Sequence, residues 1–124
     1  MKIFYLRENE TLRYAAEELA KYYEMMVGKA PASVAFSKEP VADAVNLGLL
    51  SDLSRPESDV SDPVLEDVLD IGIEKGCGFV AGSNPRSVLM GVYRFLRSQG
   101  CRFIRPGEGG EFIPSADLDA ATFV

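Results

Sequence analysis

Acidic side chains are the main reactive groups that this sequence offers. The 124 residues include 19 Asp and Glu, no histidine, and two cysteines, Cys77 and Cys101. The lack of histidine excludes Ser-His and Cys-His hydrolases and HExxH zinc sites. Two carboxylates that flank one bond could cleave a glycoside. So many acidic residues on a small domain form accidental pairs, however, so we predict no catalytic residue.

Glycine clusters and acidic loops indicate no cofactor or metal site either. Residues 76–78 and 107–110 lack the Lys-Ser/Thr ending of a phosphate loop and the spacing of a dinucleotide fingerprint, so turns explain both. The polar segment 51–63 carries four acidic residues, but their spacing does not match the alternating ligands of a calcium loop. Free N–H groups near Pro85 could hold an anion beside Arg86, yet every capped helix offers such groups. We therefore expect no cofactor and no bound metal.

The charge balance limits the partners that the chain can have. Its net charge is −6, and phosphate binding needs concentrated Lys and Arg, so we expect neither nucleic acid nor an anionic membrane as partner. No run is long and apolar enough to span a bilayer, and residues 1–6 are too short for a signal peptide. A secreted or periplasmic protein would have lost its signal or would carry it upstream, so localisation stays open. For the cysteines, two buried free thiols are favoured over one bridge.

The length fits one domain, and its elements alternate between strands and helices. Alternating or continuous apolar runs predict strands at residues 2–6, 33–36, 44–50, 70–74, 77–81, 101–105 and 111–114. The fourth and fifth of these flank a glycine-containing turn and predict a hairpin. A first helix runs from a cap at Asn9 or Thr11 to about Val27, and residues 64–69 could form one short helical turn.

The sequence contains capping signals for both ends of a second helix. Asn84 is suited to cap it, Pro85 suits its first position, and Gly100 can close it in the left-handed conformation. Its apolar positions form one core-facing side, made of Val88, Leu89, Val92, Phe95 and Leu96. Gly91 in mid-helix costs about 1 kcal/mol relative to Ala, which indicates a close neighbour.

Two segments carry a family resemblance that spans almost the whole chain. The first is residues 14–23, YAAEELAKYY, followed by residues 26–28. The second is residues 82–96, GSNPRSVLMGVYRFL, continuing through residues 100–108 to Ile113-Pro114. They resemble the N-terminal domain of family 67 α-glucuronidases and of related glycosidase-like proteins. The second segment departs from that pattern at two positions: Ser87 stands where the family usually has Gly, and Met90 where an aromatic residue is usual.

The resemblance implies both a fold and a role. The fold would be α+β, with a single mixed β-sheet and two main helices packed on it, zincin-like without the metal site. A similar domain precedes the barrel of family 20 hexosaminidases. Such domains are non-catalytic, and the catalytic carboxylates lie on a following (β/α)8 barrel. A barrel needs about 250 residues, so this chain is not expected to be an enzyme itself: residues 1–114 would be an accessory domain and residues 115–124 a tail that leads to the barrel.

The interdomain contact is predicted from the outer face of the second helix and the segment after it. The predicted contact residues are Arg86, Met90, Arg94, Arg97, Arg102, Arg105, Pro106 and Glu108. Carbohydrate would be contacted only indirectly. Tyr14 and Met25 also lie on a polar face, where we interpret them as solitary exposed side chains rather than as a contact surface. The alternative to an accessory domain is a free-standing glycan- or ligand-binding module; a small hydrolase ranks last.

Overall fold

The structure is a computed structural model that describes residues 1–27, 32–53, 68–74 and 76–100, together with the backbone of two short strands further on. The elements in chain order are β1 (Lys2–Tyr5), α1 (Glu10–Val27), β2 (Ser33–Phe36), β3 (Val45–Leu49), a 3-10 helix (Ser51–Leu53), β4 (Leu69–Glu74), β5 (Cys77–Gly82), α2 (Pro85–Ser98), β6 (Arg102–Phe103) and β7 (Glu111–Phe112). No helix among the described residues has the length and apolar character needed to cross a membrane.

Five strands form one mixed sheet in the order β2-β1-β3-β5-β4. The first four run parallel, and β4 pairs antiparallel with β5 as the predicted hairpin. The nearly continuous apolar sequence of β3 accounts for its central position, where both faces of the strand are covered. β6 and β7 pair antiparallel in a separate two-stranded sheet. The expected α+β class, with a mixed sheet and two helices, is confirmed.

Both helices pack on the same face of the five-stranded sheet. α1 lies over β1, β2 and β3, α2 lies over β3, β4 and β5, and the two helices contact each other. Their apolar sides meet alternating sheet residues in one buried cluster, which includes Ile3, Leu12, Leu19, Tyr23, Leu47, Ile73, Val80, Val92, Phe95 and Leu96. The core therefore lies between one sheet face and the helix pair, and the outer sides of the helices are left to the surface.

The helix ends follow the predicted capping chemistry. The Asn9 Oδ1 atom accepts hydrogen bonds from the backbone N–H groups of Thr11 at 2.9 Å and Leu12 at 3.1 Å, so Asn9 rather than Thr11 caps α1. Asn84 accepts a 2.9 Å bond from the Ser87 N–H at the start of α2. Gly100 has a φ of 106°, a conformation that favours glycine, and its N–H donates to the last turn of α2.

Gly91 lets α2 approach β5 closely. A Cβ atom at this position would lie 2.6 Å from Cγ1 of Val80, which is far inside van der Waals contact. This explains why glycine, a poor helix former, stands in mid-helix. The expectation of a close neighbour at Gly91 is confirmed.

Some local expectations need correction, and others concern residues outside the described part of the chain. The predicted helical turn at residues 64–69 is wrong at Leu69, which begins β4 because it pairs with Gly82. Cys77 is a half-buried free thiol. The polar loop beyond Leu53, Cys101 and the tail at residues 115–124 lie outside the described residues.

Candidate functional site

The exposed side of α2 brings together four of the predicted contact residues. Arg86, Met90, Arg94 and Arg97 are all exposed, and Met90 keeps 44% of its surface accessible. Their spacing of three to four residues places them along one stripe of a helix. The opposite side of the same helix is buried, as shown by Val88, Val92, Phe95 and Leu96. We call these four exposed residues the α2 surface.

The charge of α2 is opposite to that of the chain. The helix carries three arginines and no acidic residue, although the whole chain has a net charge of −6. Arg94 makes no hydrogen bond or ion pair with the described part of the chain. The α2 surface is therefore a local positive patch that includes an exposed apolar side chain.

A groove between α2 and β4 runs along this patch. Leu69, Met90, Tyr93, Arg94 and Arg97 line it, and its volume is about 200 Å³. Leu69 belongs to β4, so the groove forms only when the hairpin and the helix are packed together. No sequence pattern indicates Leu69 at this site, because its local pattern predicts a helical turn. We call this depression the α2–β4 groove.

Tyr93 connects the groove to α1. Its hydroxyl donates a hydrogen bond to Oε2 of Glu18 at 3.1 Å. Burial raises the pKa of Tyr93 above its ordinary range, and the negative charge of Glu18 together with hydrogen bonds to Glu18 and Tyr14 raises it further. Tyr93 is thus a neutral hydrogen-bond donor at physiological pH. Tyr14 is 48% exposed as expected, but it lies against Tyr93 and is not solitary.

The remaining predicted contact residues cannot be joined to this surface. Arg102 lies in β6, whose backbone alone is described. Arg105, Pro106 and Glu108 fall outside the described residues. Their part in an interdomain contact stays a prediction.

The ion pair of Arg7 with Asp52 acts within the fold. Arg7 Nε donates to both carboxylate oxygens of Asp52, at 3.0 and 2.8 Å, and Asp52 also accepts the backbone N–H of Leu49 at 3.0 Å. This pairing raises the pKa of Arg7 through the hydrogen bond and the charge of Asp52. It links the ends of β1 and β3. Among the described residues, no group of three or more His, Cys, Asp or Glu side chains could hold a metal ion.

Comparison of this chain with protein-family models, with curated proteins and with solved structures found no match. The α2 surface, the α2–β4 groove and the resemblance of residues 14–23 and 82–96 are therefore the features that bear on function.

Proposed function

We propose that the chain is a non-catalytic accessory domain of a carbohydrate-active enzyme, an α-glucuronidase-like glycoside hydrolase. It packs against a (β/α)8 catalytic barrel of the same polypeptide through the α2 surface. The observation that carries the proposal is an exposed methionine, Met90, set among Arg86, Arg94 and Arg97 on a helix whose other side is core. The resemblance supplies the class of the partner.

The residue types of the α2 surface suit a protein partner. Met and Arg are enriched in protein interfaces relative to the rest of the surface, whereas Lys and Glu are depleted. An Arg side chain can cover apolar surface with its methylene stem while its head group stays hydrated. Met90 with Leu69 in the adjacent groove therefore provides a small apolar centre with a charged rim.

Methionine oxidation tests the docking part of the proposal. Dilute hydrogen peroxide would be applied to this chain alone and to the natural full-length polypeptide, and each methionine followed by mass spectrometry. Met90 should oxidise several-fold more slowly in the full-length polypeptide because the barrel covers it. Met25 is the matched control, since it is 51% exposed on α1, and Met26 at 1% should stay protected in both. Equal Met90 rates in the two contexts would show that this surface is not the interface.

The reading frame that follows Val124 tests the class of the parent enzyme. We expect it to encode a (β/α)8 barrel with paired carboxylates, and we expect this chain alone to show no turnover of aryl glycosides. A downstream sequence with no barrel, or measurable turnover by this chain, would contradict the proposal.

One observation favours the alternative of a glycan- or ligand-binding module. On β4 and β5, Asp70, Glu74 and Phe79 line an open depression of about 390 Å³, and the Phe79 ring lies against Gly72. An aromatic ring beside carboxylates could stack on a sugar and accept its hydroxyl groups. Binding of the isolated chain on a glycan array, lost in Phe79→Ala, would support this alternative. If the chain binds no glycan on the array, the alternative is contradicted.

A further inference from the structure

We propose that the α2–β4 groove receives a carboxylate side chain of the docked protein surface, an Asp or Glu with an apolar neighbour. This inference depends on the proposed function, because it names the chemistry that the partner presents to the α2 surface. Three properties of the groove support it: its charge, its size and its fixed wall.

The charge of the groove points to an acidic group. Arg94 and Arg97 are three residues apart, so they are neighbours on the helix, and both line the groove. Arg13 on α1 pairs with Glu17 and Arg7 pairs with Asp52, whereas Arg94 has no such partner in the described part of the chain. A carboxylate beside Arg94 would accept charge-assisted hydrogen bonds from its guanidinium group, and Arg97 adds positive charge next to it.

The size of the groove points to one side chain rather than to a whole small molecule. Small-molecule pockets typically enclose about 300–1,000 Å³, and this groove has about 200 Å³. Leu69, Met90 and the ring of Tyr93 provide its apolar part. A short acidic side chain can therefore reach the arginines while an adjacent apolar side chain covers Met90.

The wall of the groove is fixed before a partner arrives. Tyr93 is held by its 3.1 Å hydrogen bond to Glu18, so one side of the groove is tied to α1. A pre-organised wall reduces the ordering cost of binding. Glu18 accepts the hydrogen bond of the Tyr93 phenol and is not among the residues that line the groove.

A nucleic acid does not fit this surface. Phosphate backbones are bound by many Lys and Arg side chains, whereas α2 supplies three arginines in a chain with a net charge of −6. The overall negative charge also repels a polyanion at long range. A protein surface with few acidic side chains meets the patch without that repulsion.

A pair of short peptides tests the inference on the intact chain. N-acetyl-Asp-Leu-amide and its neutral match N-acetyl-Asn-Leu-amide would be titrated into protein labelled with ¹⁵N and, at the methionine methyl groups, with ¹³C. NMR would follow the arginine Nε–Hε signals and the Met90 methyl group. We expect saturable shifts at Arg94, Arg97 and Met90, with the Asp peptide binding about threefold more tightly than the Asn peptide, as befits exposed ion pairs.

Two variants provide the controls. Arg94→Gln should weaken binding of the Asp peptide about threefold and leave binding of the Asn peptide unchanged. Arg13 is another exposed arginine, and Arg13→Gln should change the binding of neither peptide. Equal binding of both peptides, equal shifts at Arg13, or the same shifts with sodium acetate at the same concentrations would each overturn the inference. Met90 protection in the full-length polypeptide is measured separately: a failure of the peptide experiment alone leaves the docking proposal standing, whereas equal Met90 oxidation in the two contexts contradicts both.

Discussion

The two helices share one core but differ in their charged residues and in how those residues are paired. On α1, Arg13 pairs with Glu17 at 3.0 Å, Glu24 accepts the N–H of Ala32 at 3.1 Å, and Glu18 accepts from Tyr93. On α2 there are three arginines and no acidic residue. Several charges of α1 are thus paired within the domain, whereas α2 carries charges of one sign only, and its Arg94 has no partner in the described part of the chain.

The difference between the helices shows that the net charge of the whole chain is a poor guide to the surface that binds a partner. A value of −6 predicts a chain that repels acidic partners. The position of the positive charges predicts that α2 attracts acidic groups instead. A partner surface is better recognised by individual charges, such as Arg94, that have no partner among the described residues than by the balance of the whole chain.

The largest expected effect separates the inner side of α2 from its outer side. Phe95→Ala should lower the free energy of unfolding by about 3–5 kcal/mol, because Phe95 is fully buried in the shared core. Met90→Ala on the same helix should change it by less than about 0.5 kcal/mol, because Met90 lies at the surface. Urea denaturation followed by circular dichroism measures both. A Met90 effect as large as that of Phe95 would mean that the α2 surface is part of the core.

An intermediate effect is expected at the contact between the helices. Tyr93→Phe should cost about 0.5–1 kcal/mol at pH 7, because it removes the hydrogen bond to Glu18. The folded-state pKa of Tyr93 is raised above the ordinary value of 10.0, so its contribution is complete below about pH 10 and declines as pH rises further.

Thermal melts between pH 7 and pH 11 measure this difference. The parent chain should lose more stability above pH 10 than Tyr93→Phe, which serves as control for the other tyrosines. Parallel pH profiles would show that the phenol of Tyr93 does not stabilise the helix pair.

The smallest effect tests the comparison most directly. Arg13→Gln should cost about 0.3–0.5 kcal/mol at low salt, because it breaks an i,i+4 ion pair with Glu17. Arg94→Gln should cost nothing measurable. The difference should shrink in 1 M NaCl, where surface charges are screened. If Arg94→Gln proves the more destabilising, the charge of α2 serves the fold and not a partner.

Local chemistry made much of the fold predictable. Asn84, Pro85 and Gly100 set the ends of α2 by capping and turn conformations that depend on adjacent residues alone. The apolar continuity of β3 indicated a central strand. Even Gly91 signalled a close neighbour, although Val80 itself could not be named from the sequence.

Contacts between distant segments were the part that could not be predicted. Leu69 looked helical in its own neighbourhood, but its pairing with Gly82 makes it a strand residue and places it beside α2. Tyr14 meets Tyr93 only because the sheet order brings α1 next to α2. A helical pattern shows which residues face outward, and the fold decides which of them face each other.

The central position of β3 has a consequence for the modularity of the domain. Along the chain, β1, α1 and β2 form one compact unit, and β4, β5 and α2 form another. β3 lies outside both units in sequence but carries a backbone ladder to each, pairing Val45 with Ile3 on one side and Gly78 on the other. Neither unit can swing away without breaking a whole ladder of hydrogen bonds. The five residues of β3 thus join the two units through backbone hydrogen bonds, in addition to the contact between α1 and α2.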